Sequence, residues 1–555
     1  MLKNYRFVLG AALLLAGAQA RAADPAGLKS AVAVERIGLL PAAQFRVTDG
    51  NCSDCATLKQ GLWYFRDDVL AVPLPAHTLS GFQDKGDVAG GMRQWAASGK
   101  TEQLAYPGLV WLGAPQVLDD ARIGADGATV RTVDGGASGL QLVPKIASNL
   151  SYWDRSTTAF FAQRQVRMRG TFKDDGGAPR FVARTVWPKD FVIDQKSLAA
   201  QPFGAGESLI TYVRDAGGGA ASPHATRLLW ERTPGQARQW QDKPVIGIML
   251  NGAQGDDDEA YGGHFAIATG NLGQQGEYAD WVVNNFYNLD SVSEKGIIAA
   301  PVPMDNYLMD LNSGQQYYRP SYMLVAVLNN ARTAAAYQGG VQRVFNHFYR
   351  HDFTYRHAAA NCAGISMDVF KALGWNVPER GATSQLKALG AYAYLAAKDA
   401  SLASGRKIYD YLTEEQVRLY PAVAFEAAGQ DLMQLVGAVP GSARSLSGFE
   451  KQLQSDVEAL VLVRIPQIPS SRVMGSNPVF SFDEYMARTP PNQADWKIVP
   501  VGPRPFPEAL RDPGVVLAKG PGPVPLPVAA VVVALLAAIG FGIRALIRRR
   551  RRQKP

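Results

Sequence analysis

Cysteine is scarce in this chain: 555 residues hold three, with only six histidines beside them. A four-ligand zinc centre is therefore short of donors, because Cys52 and Cys55 have no second Cys or His pair at metal-binding spacing. A basic footprint on the main body is also missing. The net charge is +8, but seven positive charges, Arg544, Arg548 to Arg552 and Lys554, crowd the final stretch. Without them and without Lys3 and Arg6 near the start, the body is close to neutral, which argues against nucleic-acid binding. The acidic run Asp256 to Glu259 lacks the alternating ligands and closing glutamate of a calcium loop, and reads as a solvated turn. No internal repeat is present, and nothing in the residues calls for a metal or another cofactor.

What remains is a globular chain, 47% apolar and rich in Gly and Pro, long enough for two or three domains. Residues 1–23 read as a signal peptide: Lys3 and Arg6, the apolar run Phe7 to Ala16, then small residues at Ala18, Ala20 and Ala22. Residues 528–547 are apolar except for Arg544 and predict a transmembrane helix, with the basic tail 548–555 held in the cytoplasm. Residues 465–527 are proline-rich and read as an extended stalk. The order of proline motif, apolar run and arginine cluster also resembles a bacterial C-terminal sorting signal. Both readings place the body on the outer, periplasmic side of a bacterial inner membrane.

Residues 24–205 predict a β-rich N-terminal domain. Val166 to Phe172 alternates with period two, Asp174 to Gly177 turns the chain, and Arg180 to Val186 returns. Short runs at Leu109 to Leu112 and Thr129 to Val133 are similar. Cys52 and Cys55 lack the βαβ setting of a thiol–disulfide oxidoreductase and read as a local structural disulfide, with redox activity the alternative.

Residues 206–464 predict a second domain. Lys243 to Leu250 is a compact apolar strand, and Gly262-Gly-His-Phe-Ala-Ile-Ala-Thr-Gly270 is its neighbour. His264 shares a strand face with Ala266 and Ala268, which leaves room beside the imidazole. A hairpin folded about Gln274 sets Asn284 across from His264, and Asn285 or Asp280 replaces it if the register shifts. Asn361 is a good N-cap, and Ile365, Val369, Phe370 and Leu373 follow at helical spacing before Gly374. Cys362, the one cysteine without a partner, thus sits in a first helical turn, where N–H groups and the macrodipole favour a thiolate. His357 is close enough in sequence to compete as its base, whereas His347 reads as an ordinary helix residue. Residues 384–462 turn helical, as in Leu389 to Ala400 and Phe449 to Leu462.

The Gly-His-aromatic-Ala-Ile strand, a polar-ended second strand and a later Asn-Cys helix start resemble the permuted NlpC-like branch of the papain fold. That branch includes enzymes similar to lecithin retinol acyltransferase. The resemblance implies an α+β fold with a papain-like catalytic domain, Cys362 as nucleophile, His264 as base and Asn284 as its orienter. It also implies an acyl-thioester stabilised by backbone N–H groups at the helix start. The insertion 288–319 would wall a substrate cleft or cover it. The expected protein is an exported, membrane-tethered cysteine hydrolase or acyltransferase acting on an amide or ester of a cell-envelope peptide or lipid. The alternative is a catalytically silent envelope-binding scaffold in which Cys362 is a buried core thiol.

Overall fold

A computed structural model of the chain describes residues 25–74, 108–146 and 153–511. Excepted are residue 56, the stretches 175–177, 216–221, 235–237, 293–297 and 499–501, and single positions 290, 352, 359, 442 and 504. Beyond these only residues 542 and 544 are described.

Gln116–Ile123 (β1), Thr129–Arg131 (β2), Ala137–Leu142 (β3), Val166–Lys173 (β4) and Arg180–Ala183 (β5) close into a five-stranded barrel. Four of the pairings are antiparallel and β3–β5 is parallel. Closure gives every barrel strand a partner on both sides, which removes exposed edges.

The site-bearing sheet has seven strands: Ala225–Glu231 (β6), Pro244–Asn251 (β7), His264–Asn271 (β8), Val282–Asn284 (β9), Pro301–Pro303 (β10), Ser321–Leu328 (β11) and Val457–Ile465 (β12). Its order is β6-β12-β11-β7-β8-β9-β10, antiparallel throughout. The central strands β7 and β11 are buried at every position. Their unbroken apolar runs fit that placement, because both faces are covered. Four helices matter for the site: Met304–Met309 (α1), Arg332–Arg350 (α2), Cys362–Leu373 (α3) and Pro421–Leu435 (α4).

Barrel and sheet share one continuous core and are joined by ion pairs. Arg167 and Arg169 of β4 reach Asp280, in the loop before β9, at 2.6 and 3.1 Å. Arg169 also meets Asp305 of α1 at 2.8 Å. Burial alone would push both carboxyls up. At Asp280 the two guanidiniums outweigh it and hold the group below the usual range; at Asp305 burial wins and the group lies above it.

Several expectations are corrected. The fold is mixed α+β, built of a barrel and multiple sheets, and the expected C-terminal transmembrane helix finds no support in it. Among the described residues no helix is long and apolar enough to cross a membrane. The longest, α2, carries Arg332, Gln338, Gln342, Arg343, His347 and Arg350 along its length. Residues 528–547, the signal peptide 1–23 and the basic tail 548–555 lie outside the described residues. The predicted helix Phe449 to Leu462 stops at Asp456, after which β12 begins. Its alternating Leu and Val side chains fill both faces of a central strand better than one stripe of a helix. The predicted stalk is docked chain as far as residue 511, and 512–527 lie outside the description. Ile468 and Val479 are fully buried, the Val479 N–H donates to Tyr261 O at 2.9 Å, and Phe506 stacks on His351 at 3.9 Å. Cys52 and Cys55 form a disulfide.

Candidate active site

The site is assembled where β7 hands over to β8. The two strands pair in full register, with Asn251 opposite His264. Gly263 allows the turn into β8: its φ is +76°, and a Cβ there would lie 2.4 Å from Asn251 O. His264 is buried, and its Nε2 sits 2.7 Å from Asn285 Oδ1. Asn285 Nδ2 donates to Ile298 O at 2.6 Å, so the amide oxygen faces the ring. An amide oxygen carries no proton and can only accept. Nε2 therefore carries the imidazole proton, and Nδ1 keeps its lone pair.

Asn361 caps α3 as its sequence predicts: Oδ1 accepts the Gly364 N–H at 2.8 Å, while Nδ2 donates to His357 O and Leu419 O. Cys362 is the first helical residue and is 4% exposed. Its thiol lies against the backbone N–H groups of Phe265 and Ala363 and the Tyr355 hydroxyl. Phe265 directly follows His264, so the backbone against which the thiol lies is one residue along β8 from the base. Burial pushes the thiol up, and the N–H groups, Tyr355 and Arg319 oppose it without winning. The same burial, helped by Arg319, brings His264 down to about 3 against the weaker pull of Asn285. The helix terminus therefore does not give the resting thiolate expected from sequence; desolvation outweighs it. At neutral pH the pair rests as thiol and neutral imidazole.

Behind the pair runs a buried polar chain. The Tyr307 hydroxyl donates to Asn251 Oδ1, Asn251 Nδ2 donates to Ser321 Oγ at 2.6 Å, and Ser321 donates in turn to Gln316. The Tyr307 ring centre is 6.3 Å from that of His264. A narrow crevice of only about 10 Å³ adjoins this wall, lined by Trp111, Asn285, Ile298, Asn306, Tyr307 and Gln315 among others. Trp111 Nε1 and Asn306 Oδ1 are buried without a hydrogen-bond partner. A larger surface cleft lined by Asp431, Gly437 and Arg444 contains neither cysteine nor histidine.

Asn284, the predicted orienter, does not hold His264. The hairpin closes later than a fold about Gln274 requires, and Ile267 pairs with Asn284. Asn284 donates instead to Ile267 O and Gln338 Oε1, both at 3.3 Å. Asn285, one residue beyond β9, leaves the ladder and reaches the imidazole. Asp280 is committed to the barrel arginines. His357 packs edge-on against Tyr355 at 5.3 Å and meets the site through its carbonyl, while His347 is buried within α2. From residue 299 to 319 the insertion is a buried wall rather than a loose cover, and it contributes Tyr307 and Arg319, which sequence reasoning did not single out. Their signal was placement in the aromatic and polar segment marked as a cleft wall. Asp258 of the acidic run accepts from Tyr261 and the Lys497 N–H, and among the described residues no cluster could hold a metal ion.

Acid should loosen this molecule through two histidines. His224, stacked on Phe191 at 4.7 Å and bonded to Tyr278, is brought to about 4 by burial, with Arg464 assisting. His224 and His264 both titrate below the ordinary value near 6.5, so unfolding takes up protons as pH falls. Their stabilisation is whole above pH ~6.5 and is lost towards pH ~4 and ~3, at up to about 1.4 kcal/mol per pH unit for each group. Urea unfolding at pH 7 and pH 5 checks this; His224→Gln should flatten the difference.

No family model, no curated protein and no solved structure matches this chain.

Proposed function

We propose that the protein is a thiol-dependent hydrolase or acyltransferase of the NlpC-like kind, with Cys362 as nucleophile, His264 as base and Asn285 in the orienting role first expected of Asn284. One observation carries the reading. Asn285 fixes the imidazole tautomer that leaves Nδ1 basic, at the strand start whose Phe265 N–H meets the Cys362 thiol. His264 Nδ1 takes the proton from Sγ as sulfur attacks an amide or ester carbonyl. The tetrahedral oxyanion meets N–H groups at the head of α3. The imidazolium returns the proton to the leaving nitrogen or oxygen, and a thioester remains for water or an acyl acceptor. A cell-envelope peptide or lipid is the proposed substrate, outside the cytoplasmic membrane, where a disulfide such as Cys52–Cys55 persists.

The silent-scaffold reading draws on the same site, because Cys362 is buried and its thiol is raised. Alkylation of Cys362 across pH 4 to 9 separates the two. A catalytic thiol reacts in the folded protein, with a profile that shifts in His264→Ala; a core thiol reacts only on unfolding. Within the catalytic reading, Asn285→Ala should lower kcat/KM by about 10²-fold, because the imidazole loses its fixed tautomer. Asn284→Ala should leave the pH profile of kcat/KM unmoved, since Asn284 faces Gln338.

A further inference from the structure

We propose that Arg319 is the fixed positive charge against which the Cys362 thiolate forms, a positioning residue for the reaction proposed above and dependent on that reading. Arg319 is 3% exposed, at the end of the insertion and two residues before β11. Its Nε and Nη2 donate to Gln315 Oε1 at 3.0 and 2.6 Å, and its Nη1 donates to Gly252 O at 3.2 Å. Both acceptors are neutral, and among the described residues no carboxylate stands within ion-pair distance of it. A guanidinium does not shed its proton, so the charge stays. Burying such a charge without a counter-ion is costly, and a structural role alone would be served by a neutral side chain.

The anion it awaits is indicated by its surroundings. Gly252 follows Asn251, the register partner of His264, so Arg319 is bonded to the strand end that carries the site. The ionisable groups that face Arg319 are, from the strongest influence, Tyr307, Cys362, Tyr287 and Asp257. The Tyr307 hydroxyl is committed to Asn251, and burial raises it far out of the physiological range. Cys362 is then the group with the strongest influence on Arg319 that also ionises during the reaction. The side chains that act on its thiol are Tyr355 from the segment before α3, Arg319 and Tyr307. Arg319 is the only permanent cation among them.

The consequence is a division of labour. His264 accepts the thiol proton but does not supply the lasting counter-charge, because its imidazolium stands beside Arg319. Repulsion between the two cations favours passing that proton on to the leaving group once the carbon–sulfur bond has formed. The thiolate, in contrast, is held by Arg319 whether or not the imidazole is charged.

The test uses the full chain and two reagents, neutral iodoacetamide and anionic iodoacetate, with the alkylated residue identified by mass spectrometry. Gln315→Glu sets a carboxylate on the guanidinium while keeping the shape of its partner. It should raise the apparent pKa of Cys362 by about one unit, slow alkylation at pH 7 about tenfold and lower the iodoacetate-to-iodoacetamide rate ratio. Arg319→Gln should do the same, and Arg319→Lys should restore most of the wild-type profile. An unchanged profile and ratio in Gln315→Glu would overturn the role of Arg319 while leaving Cys362 and His264 in place, and that variant decides even if Arg319→Gln does not fold. A wild-type Cys362 that resists both reagents until the protein unfolds would instead remove the hydrolase reading, and this inference with it.

Discussion

Cys362→Ala is expected to slow turnover of a cognate amide or ester by about 10⁶-fold, His264→Ala by a comparable factor, and the double variant no further than Cys362→Ala alone. The reasoning is that the two groups act on one proton. Without the thiol no acyl-enzyme forms, and without Nδ1 the raised thiol stays protonated at neutral pH, since burial opposes its ionisation. What survives is binding together with the N–H groups of Phe265 and Ala363, which do not depend on either side chain. Stability should separate from rate. Cys362→Ala removes one sulfur from a packed site and should cost about 1 kcal/mol. His264→Ala leaves Asn285 Oδ1 without its buried partner, at about 1–3 kcal/mol. Single-turnover kinetics on the three variants, alongside urea unfolding, measure both quantities. Single variants that keep rates within tenfold of wild type would place the chemistry elsewhere.

The parts of this site that sequence made legible are those set within one turn or one strand. Asn361 and Cys362 follow from N-cap chemistry, and His264 stands out because Ala266 and Ala268 share its face. Asn285 was within reach only as an alternative, because the choice between it and Asn284 depends on where a ten-residue connection closes. That closure is decided by tertiary contacts such as Trp281 Nε1 donating to Asn271 O at 2.8 Å. Arg319 was legible only as a member of the insertion marked as a cleft wall, not as a site residue. An arginine in a polar segment reads as solvated, and only the fold shows it buried with neutral acceptors. The same limit explains β12 and the docked C-terminal chain. Val457 to Ile465 carries no helix stop that sequence reading could use, and prolines between 466 and 511 announce extended backbone without saying whether it is packed. The apolar residues among them, Ile468, Val479 and Phe506, were the available sign.

The largest stability effect is expected at the junction of barrel and sheet, far from any motif. Asp305 is fully buried on α1 and accepts from Arg169 Nε at 2.8 and 2.9 Å, while its Oδ1 also takes the Asn306 N–H at 2.9 Å. Asp305→Ala would leave Arg169, 1% exposed, with Asp280 shared against Arg167 as its remaining carboxylate. Two guanidiniums would then share Asp280, with Asp119 at 3.7 Å from Arg167 the one further carboxylate, and the charge left on buried Arg169 should cost about 3–5 kcal/mol because it cannot reach water. Pairing Asp305→Leu with Arg169→Met removes both charges together and should recover most of that loss, which a double-mutant cycle by urea unfolding would record. A loss under about 1 kcal/mol for Asp305→Ala would mean that water reaches the layer and that the pair behaves as a surface one. The site should report the same event. Tyr307 lies two residues along α1 from Asp305 and bonds Asn251 opposite His264, so slackening of the junction should also shift the alkylation profile of Cys362. The Asp305→Leu/Arg169→Met pair should return that profile with the stability, which ties the barrel to the chemistry through a single helix.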